Sequence, residues 1–405
     1  MKNKISKFSF FLLVLIVGCC PIGKYGVFAN NLPKVSLIPF QGLETTGARS
    51  ITYFTFSSNR PFLAVSQFAM DNPAGKTGAD GGNSDIFSLI YQWDGHQFIP
   101  FQRLPSHGAR DWAYFNIKNN HFLALASLRV GNGQPYNLNS FSTIYEWDGC
   151  KFTPIQDILT QAAQEWTFFS IDKDFYLVVA NYAENVPSSA GNNATTPKLN
   201  FGVNSVIYRW NENAKKFDSY QSILTQAAFN WEFFTVDNEH YLAVSNGVGP
   251  VSNIYIWKNR KFQLFQSIPS SKARDIKAFT IEQKHYLAIS NLGGDSAIYM
   301  WDGKQFIFFQ KIIGPGGRRF VFFTDRGNHF LAKINYLVGT QYQLLSQIYA
   351  WNGEKFVKVL DFPTYGGTDA TFFTIRNTRY FAVSYGNKNK DSYRMDSEIY
   401  KFVVK

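Results

Sequence analysis

The sequence predicts an all-β fold: a seven-bladed β-propeller of four-stranded antiparallel blades, closed by the N-terminal strand completing the last blade. Three observations carry this. A signature Ile-Tyr-x-(Trp/Phe) occurs seven times, its copies ending at Trp93, Trp147, Trp210, Trp257, Trp301, Trp351 and Phe402. Successive copies lie 54, 63, 47, 44, 50 and 51 residues apart, the period of a propeller blade rather than of one large sandwich. The last copy is followed only by Val403-Val404-Lys405, so its repeat lacks a fourth strand, while Val35 to Gln41 is an orphan copy of that strand. A length of 405 residues would otherwise suggest two or three domains.

Residues 1–29 read as a leader outside the propeller, which spans 30–405. Lys2, Lys4 and Lys7 precede an apolar run from Phe8 to Cys20, and Val27-Phe28-Ala29 offers a small-residue cleavage site, the order of a secretory signal peptide. The run is too short for a comfortable membrane span. Ile16-Val17-Gly18-Cys19 also resembles a bacterial lipobox, with cleavage before a lipidated Cys19, so secretion, lipid anchoring and an uncleaved anchor all stay open.

Each repeat divides into four runs, A to D from the channel outwards. Run A alternates aromatics, as in Phe168-Phe169-Ser170-Ile171; run B is small and apolar, as in Tyr241-Leu242-Ala243-Val244-Ser245; run C is the signature. Run D reads Phe98-Ile99-Pro100-Phe101-Gln102 or Phe306-Ile307-Phe308-Phe309-Gln310. Pro100 and Pro154 suit an edge strand that can spare a ladder donor. The A–B and C–D connections are short, and Asp94-Gly95, Asp148-Gly149, Asp302-Gly303 and Asn352-Gly353 are tight-turn pairs. Aromatic residues form 18% of the chain, which suits strands built on bulky cross-strand pairs. The fold retains one cysteine, Cys150, in a turn, so no internal disulfide holds it and closure must come from strand pairing.

The long insertions are all B–C loops, which share a face with the D–A turns: Gln67 to Asp85, Leu128 to Phe141, Asn181 to Asn204, Asn335 to Ser346 and Tyr385 to Asp396. Variable loops on a rigid scaffold are where binding resides. Their aromatics Tyr136, Phe141, Tyr182, Phe201, Tyr336, Tyr342 and Tyr393, with Tyr365 from a D–A turn, are the candidate ligand contacts. Some of them are expected to tuck against the blades. A polar residue precedes strand A in every repeat: Ser50, Asp111, Glu165, Asn230, Asp275, Arg319 and Asp369. The acids Asp111, Glu165, Asp275 and Asp369 would repel one another at a channel mouth unless paired or metal-bound. Calcium in the channel is one reading; local caps on backbone amides are the other.

Charge excludes little. Without the four lysines of residues 1–29, 36 basic residues face 29 acids, a balance of +7 with no dense basic run, so nucleic acid is not an expected partner. His121, His240, His285 and His329 share one repeat position at the entry to strand B and read as structural. There is no Gly-x-Ser-x-Gly elbow, His-Glu-x-x-His, phosphate loop or clustered Cys/His spacing. Paired acids at the channel mouth leave a hydrolase or lyase as the alternative to a binding module. Asn193-Ala194-Thr195 is a glycosylation sequon if the source is eukaryotic.

The unit Glu165-Trp166-Thr167-Phe168-Phe169-Ser170-Ile171, with Tyr176 to Asn181, Ile207-Tyr208-Arg209-Trp210, Lys216-Phe217 and Gln221, resembles the EPTP or EAR (epilepsy-associated) repeat. That is the propeller repeat of epitempin and the leucine-rich glioma-inactivated proteins, and the resemblance covers residues 35–405. It implies secretion and ligand or receptor binding at the cell surface without enzymatic activity; the expected partner is an extracellular or cell-surface protein or glycan, and no cofactor is expected unless calcium occupies the channel. In some relatives acids at the channel mouth bind a cation, which by repeat position would be Asp111, Glu165, Asp275 and Asp369. The chain lacks the leucine-rich repeats of those relatives, and its long B–C loops are its own. A monomer is expected, touching membrane only if Cys19 is lipidated.

Overall fold

The structure, a computed structural model, describes residues 32–56, 60–72, 81–186 and 198–405. The leader, Cys19 and the Asn193 sequon lie outside the described residues. Within them the regular elements are strands, arranged as seven four-stranded antiparallel blades. The first blade runs Ala48–Thr55, Pro61–Gln67, Asp85–Trp93 and Phe98–His107, in the order A, B, C, D. The A strands contact one another from blade to blade and so surround the channel. The blade-three insertion adds a two-stranded ribbon, Glu184–Val186 with Lys198–Asn200.

Blade seven holds Gly367–Ile375, Thr378–Tyr385 and Ser397–Val404, and Val35–Leu43 pairs with the last of these as its outer strand. Leu37 faces Phe402 and Gln41 faces Ile399. The ends are laced further: the Thr45 hydroxyl donates to the Met395 carbonyl at 2.8 Å, and the Tyr393 amide donates to Asp71 at 2.8 Å. The overlap converts two open sheet edges into one closed blade.

The core is divided among the seams. Each main apolar cluster joins two neighbouring blades, as where Phe54 and Ile90 of blade one meet Trp112 and Tyr145 of blade two. The signature Trp belongs to this packing. Trp147 lies 5.2 Å from Phe152 of its own blade and 4.7 Å from Phe56 of the preceding one, ring centroid to centroid. A second seam device is polar. The Gln that ends six of the seven D runs clamps the backbone of the next blade: Gln102 Nε2 donates to the Phe152 carbonyl at 2.8 Å, and its Oε1 accepts from the Phe152 amide at 3.0 Å. Gln41, Gln156, Gln221, Gln266 and Gln310 repeat this on Phe98, Phe217, Phe262, Phe306 and Phe356. Leu360 holds the position facing the remaining seam and packs instead.

The short connections face the other way. In the C–D turn the Asp94 carboxylate accepts the amides of His96 and Gln97, both at 2.8 Å, and Gly95 follows at φ 109°, so the connection runs to four residues rather than a two-residue hairpin. The histidines are structural: His240, His285 and His329 each bond a threonine of the neighbouring strand at 2.9–3.0 Å, and His121 bonds Asn116 at 2.7 Å. Cys150 is a free, exposed turn residue.

Candidate functional site at the long-loop mouth

Local backbone geometry builds this mouth. Each D–A corner ends in one left-handed residue: Gly47, Gly108, Ala162, Ala227, Lys272, Gly316 and Gly366, with φ between 51° and 92°. Glycine is the natural occupant, and Gly47 has a second reason, since a Cβ there would lie 2.9 Å from the Ala69 carbonyl oxygen. Strand A then carries a register shift at its second residue, as between Ala109 and Asp111 or Gly317 and Arg319. A bulge re-aims the unpaired side chain. Here it presents Arg49, Arg110, Gln164, Arg318 and Thr368 to the same cavity as the residues that follow them.

Those following residues are the seven-membered polar ring. Five of them bond the backbone of the next blade's strand A. The Asp275 carboxylate accepts the Phe320 amide at 2.7 Å, Asn230 accepts Ile276 at 2.9 Å, and Asp369 accepts Ile51 at 3.1 Å. Asp111 accepts Trp166 at 3.4 Å and Ser50 accepts Trp112 at 3.2 Å. The other two, Glu165 and Arg319, meet each other at 2.7 Å across the ring. Arg319 also lies 3.2 Å from Asp275 and 3.1 Å from Asp369.

Three of the four acids thus pair with a side chain of the chain itself, Arg319, while Asp111 caps the Trp166 amide. Among the described residues no group of three or more His, Cys, Asp or Glu is arranged to hold a metal ion. Of the two sequence readings, this geometry matches caps on backbone amides, the amides belonging to the neighbouring blade. One cation among four acids leaves the ring acid-rich. Burial, eased by Arg319, pushes the Asp111 carboxyl up to about 6 and raises Glu165 and Asp275 as well.

Just outside the ring is a basic collar that sequence reasoning missed. Arg49, Arg110 and Arg129 all approach the Phe68 ring, at 4.7, 5.4 and 4.3 Å from its centroid. Arg274 and Arg318 approach Phe229, at 3.9 and 5.2 Å. Burial and the neighbouring guanidiniums lower Arg110 well below the usual arginine range and bring Arg274 and Arg318 down to about 10. Burial alone would raise the Tyr336 phenol, but the charge and hydrogen bond of Arg49, with Arg110 and Arg318, lower it. The available signal was that Arg precedes the ring position in four repeats, at Arg49, Arg110, Arg274 and Arg318.

The nominated aromatics divide. Tyr336 takes a hydrogen bond from Arg49 at 3.1 Å and stands 5.5 Å from Tyr342. Tyr182 stands 5.2 Å from Phe229 and 5.3 Å from Phe201. Tyr136 lies 3.6 Å beneath Arg129, and Tyr393 packs on Phe68 at 6.0 Å. Tyr136, Tyr342 and Tyr393 are buried, so they support the mouth instead of offering a free face. Phe141 is exposed and lines a separate groove with His107 and Asp157. Tyr365 stands edge-on against Tyr385 at 5.9 Å.

The EPTP domain model matches residues 36–94, 97–148, 151–211, 216–258 and 261–302, more than half of the chain. The chain belongs to the EPTP-domain family. This EPTP propeller is 34% identical over 186 residues to the mouse thrombospondin-type laminin G domain and EAR repeat-containing protein, a match covering 44% of this chain and 25% of that one. It is 38% identical over 92 residues to the human leucine-rich repeat LGI family member 2, covering 22% and 15%. With human leucine-rich glioma-inactivated protein 1 it shares 30% identity over 100 residues, covering 24% and 16%. The matches thus span a quarter or less of these relatives. Among solved structures, the Raptor protein of Chaetomium thermophilum superposes with a TM-score of 0.53 at 10% identity, covering 93% of this chain and 29% of that one. At that identity the likeness concerns fold alone.

Proposed function

We propose that this EPTP propeller is an exported, non-enzymatic binding module that takes an extracellular or cell-surface protein or glycan on its long-loop face. One observation carries the reading: the long B–C insertions and the D–A arginines meet at that mouth, as where Phe68 of the first insertion carries Arg49, Arg110 and Arg129, while the outer seams repeat one glutamine clamp at six positions. Membership of a family of non-enzymatic propellers supports it. The enzymatic alternative needed converging, accessible acids. Three of the four are ion-paired to Arg319, and the cavity at the ring has a volume of about 10 Å³, room for a single water.

Export and monomeric state belong to the same proposal. Intact mass of the exported protein distinguishes an N-terminus at Asn30 from a lipidated Cys19, and light scattering reads the oligomeric state. Calcium has to displace Arg319 to reach the acids, so titration with calcium is expected to leave the melting curve unchanged. The binding test is capture from the host-cell surface by the intact propeller, by one lacking residues 181–204, and by a C–D turn variant such as Lys304→Ala. Loss with the loop deletion alone is the expected result. Equal loss with the turn variant would move the partner to the opposite face.

A further inference from the structure

We infer that the basic collar is an anion-binding site for the carboxylates of an acidic peptide segment in the partner; this deepens the reading of the long-loop face as the binding face and rests on it. Among the described residues none of Arg49, Arg110, Arg274 and Arg318 has a carboxylate within salt-bridge distance. Their hydrogen-bonding capacity is only partly used. Arg49 Nη1 donates to Tyr336, and Arg110 Nε donates to Gln164 at 2.8 Å. Arg49 is 4% exposed and its Nε has no partner; Arg274 Nη1 is likewise buried and unpartnered. Buried polar nitrogens without partners are costly, more so on like-charged groups, and an arriving oxyanion satisfies both deficits.

The acids beneath act on the collar only from beyond salt-bridge distance, Glu165 and Asp275 on Arg318. Arg319 and the amides of Phe320, Ile51 and Trp166 already engage them. The guanidinium fork matches carboxylate and phosphate geometry, so the collar recognises oxyanions as a class. Two features favour acidic side chains over a glycan. The cleft at the ring is narrow, about 10 Å³, and excludes a sugar ring, whereas carboxylates can bond the guanidiniums at its rim. Phe68 and Phe229 are buried and already covered by guanidiniums, leaving no free face there for a sugar to stack on.

The test needs no natural partner. An end-blocked oligoglutamate peptide, an oligoglutamine control and a sulfated disaccharide are titrated calorimetrically into the intact propeller at low salt. The glutamate peptide is expected to bind, the control not to, and binding is expected to weaken as salt rises. Arg110→Gln/Arg318→Gln is expected to reduce affinity about tenfold or more, whereas Lys118→Gln/Lys215→Gln on the opposite face leaves it unchanged. The collar variant's melting temperature is expected to equal or exceed that of the parent, because removing crowded like charges relieves repulsion. A destabilised variant with no peptide binding by the parent would make the arginines structural and overturn the inference. Binding of the sulfated sugar without the peptide would overturn the acidic-peptide assignment. Peptide binding without loop-dependent surface capture would preserve this site and refute the proposed binding face; the reverse pattern would preserve the face and refute the site.

Discussion

Two belts hold neighbouring blades together, and they differ in kind. The outer belt is a neutral amide clamp made by one residue type, Gln, at six seams. The inner belt is made by Ser, Asp, Asn, Glu and Arg, and two of its members, Glu165 and Arg319, leave the seam to pair with each other. Repetition marks what every seam needs. Variation, with charge, marks where the molecule has a particular surface. The lone exception in the outer belt, Leu360, substitutes apolar contact for the clamp; the exceptions in the inner belt create an ion-pair centre beneath four arginines.

Breaking the outer belt at its closure has the largest expected effect. Deleting residues 30–43 removes the outer strand of blade seven and the Gln41 clamp together. The melting temperature is expected to fall by on the order of 10 °C or more. An unchanged melting curve would mean that the overlap does not close the ring.

Next in size is the inner belt's charge centre. Arg319→Met strands three carboxylates, of which Asp275 and Asp369 are buried, and is expected to cost about 3–5 kcal/mol at neutral pH. The loss is expected to shrink toward pH 5, where raised carboxyls take up protons and no longer need a cation. Urea denaturation at the two pH values gives the comparison, and an equal loss at both would dismiss the electrostatic account.

A single outer clamp comes third. Gln221→Ala leaves the Phe262 amide and carbonyl without partners and is expected to cost about 1–3 kcal/mol by urea denaturation. Gln221→Leu is expected to cost less, because Leu360 shows that apolar packing serves at this position. If Leu proves as costly as Ala, the seventh seam is not a fair analogue.

The smallest effect is a pH slope. The folded Asp111 carboxyl stands near 6, above its value of 3.8 in an exposed chain, so the fold holds the extra proton between those values. The stability this contributes is complete below about pH 4 and is lost as pH rises through 6. Asp111→Asn is expected to flatten the slope in that window while still accepting the Trp166 amide. Retention of the full slope would assign it to Glu165 and Asp275.

The fold was legible because its evidence is periodic. The Ile-Tyr-x-Trp copies, the Asp-Gly turns and the orphan strand at Val35 each recur or complete a recurrence. The polar ring was legible as a repeat position for the same reason. Its bonding was not, because a side chain that reaches the next blade's backbone has its partner 45 or more residues away, 45 for Asp275 with Phe320, 62 for Ser50 with Trp112 and 318 for Asp369 with Ile51. The collar was missed because arginine one residue before the ring looks like ordinary surface charge. Only the bulge at that residue turns Arg49 and Arg110 into the mouth. The loop aromatics divide for a related reason: composition marks Tyr393 as a loop aromatic, but its surroundings bury it completely.

By itself the sequence determined the number of blades, the strands within each, the closure by residues 35–43 and the face that carries the long loops. All of these follow from spacing along one chain. Tertiary structure alone decided that Arg319 pairs with three of the four channel acids and that four arginines meet above it without carboxylate partners. Those facts depend on which blades stand opposite across the ring, and separation in sequence carries no record of that distance.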